Sequence, residues 1–123
     1  MRVEQVDFIT VPTRDVATAK AFYTEVLGLP ASEKSEGEVE TPNVTLSFWN
    51  PEDDGEEFFS NAAGFALRVE DVESAVDEVR AAGGEIMGTV DTGVCHMGFV
   101  KDPDGNVLIL HRRYAPKVRR GEG

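Results

Sequence analysis

The chain has one cysteine and two histidines in 123 residues. A single thiol, Cys95, closes no internal disulfide and builds no multi-cysteine zinc site. Long apolar runs are missing as well. No stretch approaches the roughly 20 residues that span a bilayer, so no membrane association is expected. Basic side chains are scarce in the body: residues 1–111 hold 7 basic and 22 acidic residues, whereas residues 112–123 hold 5 basic and 1 acidic. So acidic a body repels phosphate backbones, which sets nucleic acid aside as a partner. It serves solubility, and it draws cations more readily than anions. The opening Met1-Arg2-Val3-Glu4-Gln5-Val6 lacks a secretory apolar core and leads into an expected strand, which points to the cytoplasm.

What is present is an ordinary globular composition, 41% hydrophobic and 28% charged, enough for one domain with one core. A shift of 56 residues lays the chain over itself. Phe8-Ile9-Thr10-Val11 then falls on Gly64-Phe65-Ala66-Leu67, Asp15-Val16 on Asp71-Val72, and Gly28 on Gly84. Each half reads as a strand, a helix and further strands. Asp15 and Asp71 are the expected N-caps, since a carboxylate there accepts the first free amides of a helix. Val16, Ala19, Phe22, Tyr23, Val26 and Leu27 make one apolar stripe at helical spacing, and Val72, Ala75, Val76 and Val79 make another. Gly28 and Gly83-Gly84 are the expected stops. Extended segments are expected near 31–41, 43–50, 85–90, 94–100 and 107–114. The acidic run Glu52-Asp53-Asp54-Gly55-Glu56-Glu57 lacks the alternating ligands of a calcium loop and reads as a solvated linker.

Near the end, Asp102-Pro103-Asp104-Gly105-Asn106 is dense in turn formers and stands between Gly98-Phe99-Val100 and Val107-Leu108-Ile109-Leu110-His111, so a β-hairpin is expected. This hairpin resembles the last hairpin of the vicinal oxygen chelate superfamily, the glyoxalase, bleomycin-resistance and extradiol dioxygenase group. Val6–Val16, Ala21-Phe22-Tyr23-Thr24-Glu25-Val26-Leu27-Gly28-Leu29 and the Val69-Glu70-Asp71-Val72 helix start resemble that family in the same order, over nearly the whole chain. The resemblance implies an α+β fold of two tandem βαβββ modules whose curved sheets surround a cavity. The domain would cover 1–114, with module 1 at about 1–55 and module 2 at about 60–114, followed by a flexible basic tail at 115–123.

Enzymes of the family hold a divalent metal with His and Glu from the first and last strand of each module. The matching positions here are Phe8, Leu46, Gly64 and Ile109, none of which offers a side-chain donor. The resemblance therefore implies no metal and no other cofactor. A divalent metal at a relocated site is the alternative. Strand alternation then assigns Phe8, Thr10, Val44, Leu46, Phe48, Ala66, Arg68, Val107, Ile109 and His111 to the concave face, with Gly64, Ala66 and Gly98 leaving room beside them. Trp49 is expected on the opposite face. Arg68 needs an acceptor, with an internal acid favoured over a ligand.

If Val100 pairs with Val107, His96 faces His111 on that concave face. Three roles are open to the pair: contact with a ligand, part of a displaced metal site completed by Glu38 or Glu40, or a satisfied structural pair. General-base chemistry also suits an imidazole. Cys95 falls on the other face from His96, which disfavours a Cys-His dyad and suits a small buried thiol. The candidate ligand-binding set is thus Phe8, Thr10, Leu46, Phe48, Arg68, His96, Ile109 and His111, with no catalytic residue assigned. The expected function is a metal-free small-molecule binder like the bleomycin-resistance branch, with a cationic drug-like ligand suggested by the acidic body and a homodimer implied by the resemblance. The alternatives are a lyase, isomerase or oxygenase using His96 and His111, and an interaction module with a filled core.

Overall fold

Phe8–Pro12 forms the first strand, β1, and Thr13 then turns the chain into a helix. The Asp15 carboxylate accepts from the Thr18 amide at 3.2 Å and starts helix α1, Val16–Ala21, as a capping aspartate should. The helix widens into a π-helical segment, Phe22–Val26, where the Leu27 amide reaches back five residues to the Phe22 carbonyl. Gly28 ends it with φ at 74°. Strand β2, Glu38–Glu40, and strand β3, Thr45–Trp49, follow, and a lone bridge from Ala31 to Val39 marks the outermost strand position of this half. The acidic linker contains a short 3-10 turn, Pro51–Asp54.

The second half repeats the plan at fuller length. Strand β4 is Phe65–Arg68, and helix α2, Val72–Ala81, is capped by Asp71, which accepts from the Ser74 amide at 3.0 Å. Strands β5, Glu85–Asp91, β6, Cys95–Lys101, and β7, Val107–Arg113, complete it. The computed structural model describes residues 1–116. The expected tail beyond Pro116 lies outside the described residues.

Packing divides the described residues into two compact units: Met1–Ala63 with Asp102–Asn106, and Gly64–Lys101 with the described residues from Val107 to Pro116. In the first unit the sheet order is β1-β3-β2, with β1 and β3 parallel; in the second it is β4-β7-β6-β5, with β4 and β7 parallel. These are the two βαβββ modules of an α+β fold. One face of each sheet is covered by its helix. In the first unit, Val11, Leu46 and Phe48 pack beneath Ala19, Phe22 and Tyr23, with the Tyr23 and Phe48 rings 5.0 Å apart, edge to face. In the second, Val100, Leu108 and Leu110 pack beneath Val72, Val76 and Val79. Among the described residues no helix is long and apolar enough to cross a membrane.

Two registers differ from the sequence reading, each by one residue. In the first unit Ile9 pairs with Leu46 and Val11 with Phe48. Leu46 and Phe48 therefore lie under the helix, and the helix-free face carries Phe8, Thr10, Thr45, Ser47 and Trp49 instead. In the second unit Lys101, not Val100, pairs with Val107. The Asp102 carboxylate closes a five-residue turn by accepting from the Asp104 and Asn106 amides, both at 2.9 Å, so β6 stays paired one residue further than expected, to Lys101. Side chains alternate with a period of two, so a one-residue slip moves a whole strand to the other face. His96 consequently pairs with Arg112, and Met97 pairs with His111. Gly98 faces α2 rather than open space: a Cβ there would meet Val76 Cγ2 at 2.5 Å.

Candidate functional site

The surfaces left for a ligand are the helix-free faces of the two sheets and the grooves at their edges. In the first unit, the antiparallel pairs Glu38–Ser47 and Glu40–Thr45 place both carboxylates beside the β3 hydroxyls. Thr45 Oγ1 donates to Glu40 Oε2 at 2.7 Å. Phe8 is 56% exposed there, and Thr10 is exposed beside it. Trp49, expected on the other side, belongs to this face; its indole donates to Asp54 at 2.6 Å and its ring meets Phe59 edge-on. At the strand ends a groove of about 480 Å³ runs along Gln5, Asp7, Glu40, Thr41 and Asn43. The face is more polar than the apolar trough expected from the sequence, because the register buries Leu46 and Phe48 and presents threonine, serine and glutamate.

In the second unit the helix-free face keeps four expected members together. Ala66 pairs with Ile109 and Arg68 with His111, as the alternation required. Phe99 joins Ile109, and Met97 joins His111. Arg113, outside the expected set, stands two residues beyond His111 on the same face, as alternation along β7 requires. Arg68 lacks the expected internal acid: among the described residues no carboxylate lies within ion-pair distance of it. Cys95 is buried on this face, with its sulfur 3.1 Å from Thr92 Oγ1, which fits a packed thiol.

His96 is separated from His111 by the sheet itself, so the expected histidine pair does not form. On the helix side, His96 Nε2 lies 3.4 Å from Asp91 Oδ2, and its ring rests 4.8 Å from the Tyr114 ring. The Tyr114 hydroxyl donates to Asp91 Oδ1 at 2.8 Å. The Asp91 carboxyl is held below its ordinary value, first by the Gly93 amide, then by Tyr114, with the His96 charge adding to both. Asp71 is lowered by the Ser74 hydroxyl and amide, and by His96 more weakly. Asp71, Asp91 and His96 border a groove of about 270 Å³ that also takes in Glu73 and Thr89. Asp91 meets His96 through the cross-strand register of the β5–β6 hairpin, which tertiary pairing sets. Tyr114 lies just past β7 and carried no periodic signal.

A divalent metal does not fit the side chains at the family positions. Phe8 and Ile109 are hydrocarbon. Gly64 has no side chain, and its backbone lies so close that a Cβ would meet Val107 Cγ1 at 2.9 Å. Leu46 is 1% exposed under α1, and the β3 position on the helix-free face that corresponds to Ile109 is Ser47. Zinc, nickel and iron sites need imidazole, thiolate or carboxylate donors. Among the described residues no three His, Cys, Asp or Glu groups are grouped so as to hold an ion.

The model of the Glyoxalase/Bleomycin resistance protein/Dioxygenase superfamily matches residues 5–110. A probable lactoylglutathione lyase of Vibrio parahaemolyticus is 30% identical over 112 residues, covering 78% of this chain and 81% of that protein. Its counterpart in Vibrio cholerae is 31% identical over 114 residues, with the same coverage. Among solved structures, a family member from Burkholderia phytofirmans superposes with a TM-score of 0.75 at 20% identity, covering 88% of this chain and 98% of that one. An antibiotic binding protein from Streptomyces sp. CB03234 superposes with a TM-score of 0.71 at 25% identity, covering 92% of this chain and 98% of that one.

Proposed function

Because the chain belongs to the Glyoxalase/Bleomycin resistance protein/Dioxygenase superfamily, we propose that it is a small-molecule-binding member that works without the family's metal. The observation that carries this reading is the donor set. Phe8, Gly64 and Ile109 supply no side-chain donor, Leu46 is buried under a helix, and Ser47, which takes its place on the helix-free face, offers neither imidazole nor carboxylate. What the helix-free face of the second unit offers instead is apolar surface from Met97, Phe99 and Ile109 with a few polar groups, the usual make-up of a ligand site, while that of the first unit sets hydroxyls and carboxylates beside Phe8. Phe8 and Thr10 in one unit, and Arg68, Ile109 and His111 in the other, are the proposed contacts. The likeness to an antibiotic binding protein of Streptomyces agrees with such a role. The protein is proposed to act in the cytoplasm as a homodimer.

The two Vibrio relatives favour a second reading, a lyase acting on a glutathione thioester, since both are named probable lactoylglutathione lyases. One experiment separates the two. Purified protein is stripped with chelator, reloaded with zinc, nickel or manganese, and assayed for bound metal and for turnover of lactoylglutathione. Binding without chemistry predicts well under one metal per chain, no turnover, and a raised melting temperature with aromatic natural products by mass action. A stoichiometric metal with metal-dependent turnover would refute it. Sedimentation of the same sample reports the dimer.

A further inference from the structure

We infer that the helix-free face of β4, β7 and β6 is built for an organic anion with a flat apolar body, which reverses the cationic ligand suggested by the acidic composition. This rests on the small-molecule reading above and names its ligand class. Arg68 and His111 are paired neighbours on adjacent parallel strands, with Cβ atoms about 5 Å apart. Arg113 follows on the same face of β7, roughly 7 Å further along the strand. Three nitrogen-bearing side chains therefore line up on one surface of a chain that has 23 acidic and 12 basic residues. Among the described residues neither Arg68 nor Arg113 has a carboxylate within ion-pair distance, so both guanidinium groups of this face are open to an anion from outside.

Arg113 adds a second, independent observation. Its Nη2 donates to the Pro116 carbonyl at 3.3 Å, while its Nε is buried and has no acceptor among the described residues. A buried guanidinium nitrogen without a partner is unfavourable, and a planar oxyanion is the acceptor that fits its fork. Glu85 is the acidic strand residue of this face, and Lys101 holds it at 3.1 Å near the far end of β6. Beside the cations, Met97, Phe99 and Ile109 are half-buried and supply an apolar floor. A carboxylate, sulfonate or phosphate would engage Arg68, His111 and Arg113, while an aromatic body lies on Met97 and Phe99.

Calorimetric titration of the full chain with three matched probes tests this: naphthalene carboxylate, neutral naphthylmethanol and naphthylmethylammonium. The carboxylate should bind best. Removing one charge-assisted pair with Arg68→Gln or Arg113→Gln should weaken it about tenfold or more, whereas Arg80→Gln on the surface of α2 should leave it unchanged. Arg113→Lys keeps the charge and should recover part of the affinity, which separates recognition from misfolding. If the neutral or ammonium probe binds as tightly as the carboxylate, or if Arg68→Gln binds the carboxylate normally, the anion site is wrong while a small-molecule pocket still stands. If none of the three binds at millimolar concentration, both readings fall.

Discussion

The Tyr23 hydroxyl donates to Asp102 Oδ2 at 2.8 Å, a buried contact between residues 79 apart in sequence. Tyr23 is fully buried and Asp102 is 5% exposed, both within the first compact unit. The same carboxylate accepts from the Asp104 and Asn106 amides and from Asn106 Nδ2, so four donors meet one buried charge. The Phe-Tyr pair and the Asp-Pro-Asp-Gly-Asn turn, two separate motifs in the sequence, are thus one hydrogen-bonded unit.

Replacing Tyr23 with Phe keeps the ring against Phe48 but strips the carboxylate of a donor. Leaving a buried charged acceptor short of a partner costs about 1–3 kcal/mol. The urea midpoint should fall accordingly with an unchanged slope, and a variant as stable as the parent would show that Asp102 does not depend on the phenol.

Tyr23 also sets an alkaline limit. Burial raises its pKa far above the ordinary 10, and the neighbouring Asp102 charge and hydrogen bond raise it further. The folded state therefore keeps its proton while the unfolded chain releases it above about pH 10. Stability is fully present below that pH and declines as pH rises beyond it. Melting temperatures measured from pH 8 to 11 should hold and then drop, with a shallower drop in Tyr23→Phe.

Asn106 is fully buried and bonds through both ends of its amide. Nδ2 donates to the Pro12 carbonyl and to Asp102 Oδ2, each at 2.8 Å, and Oδ1 accepts from the Asn61 amide at 2.7 Å. Asn106→Ala removes all three and should destabilise by about 3 kcal/mol or more. Asn106→Asp, which restores the acceptor but places a second carboxylate against Asp102, should be at least as damaging at neutral pH. Chemical unfolding of the two variants decides the matter.

Gly98→Ala tests the corrected β6 register. The added methyl would meet Val76 Cγ2 at 2.5 Å and Val72 Cγ1 at 3.2 Å. Overpacking of this kind costs about 1–3 kcal/mol, so the melting temperature should fall. Had Gly98 faced the helix-free side, alanine would be tolerated. Combining it with Val76→Ala should recover part of the loss.

The sequence by itself determined the elements and the family. Both aspartate caps, both apolar helix stripes, the glycine stop with left-handed φ at Gly28 and the closing turn follow from contacts within a few residues, which local composition encodes. The positions of Phe8, Thr10, Arg68, Ile109 and His111 on helix-free faces were legible too, because β1, β4 and β7 alternate cleanly. Tertiary structure decided the rest through two registers. The parallel pairing of β1 with β3 turned Leu46 and Phe48 under α1, and the Asp102-centred turn set His96 and His111 on opposite sides of a sheet. Register arises from hydrogen bonds between distant segments, and a side-chain period of two converts a one-residue difference into opposite faces. Strand pattern tells which residues share a side of their own strand, but only the paired neighbour tells which side of the sheet that is.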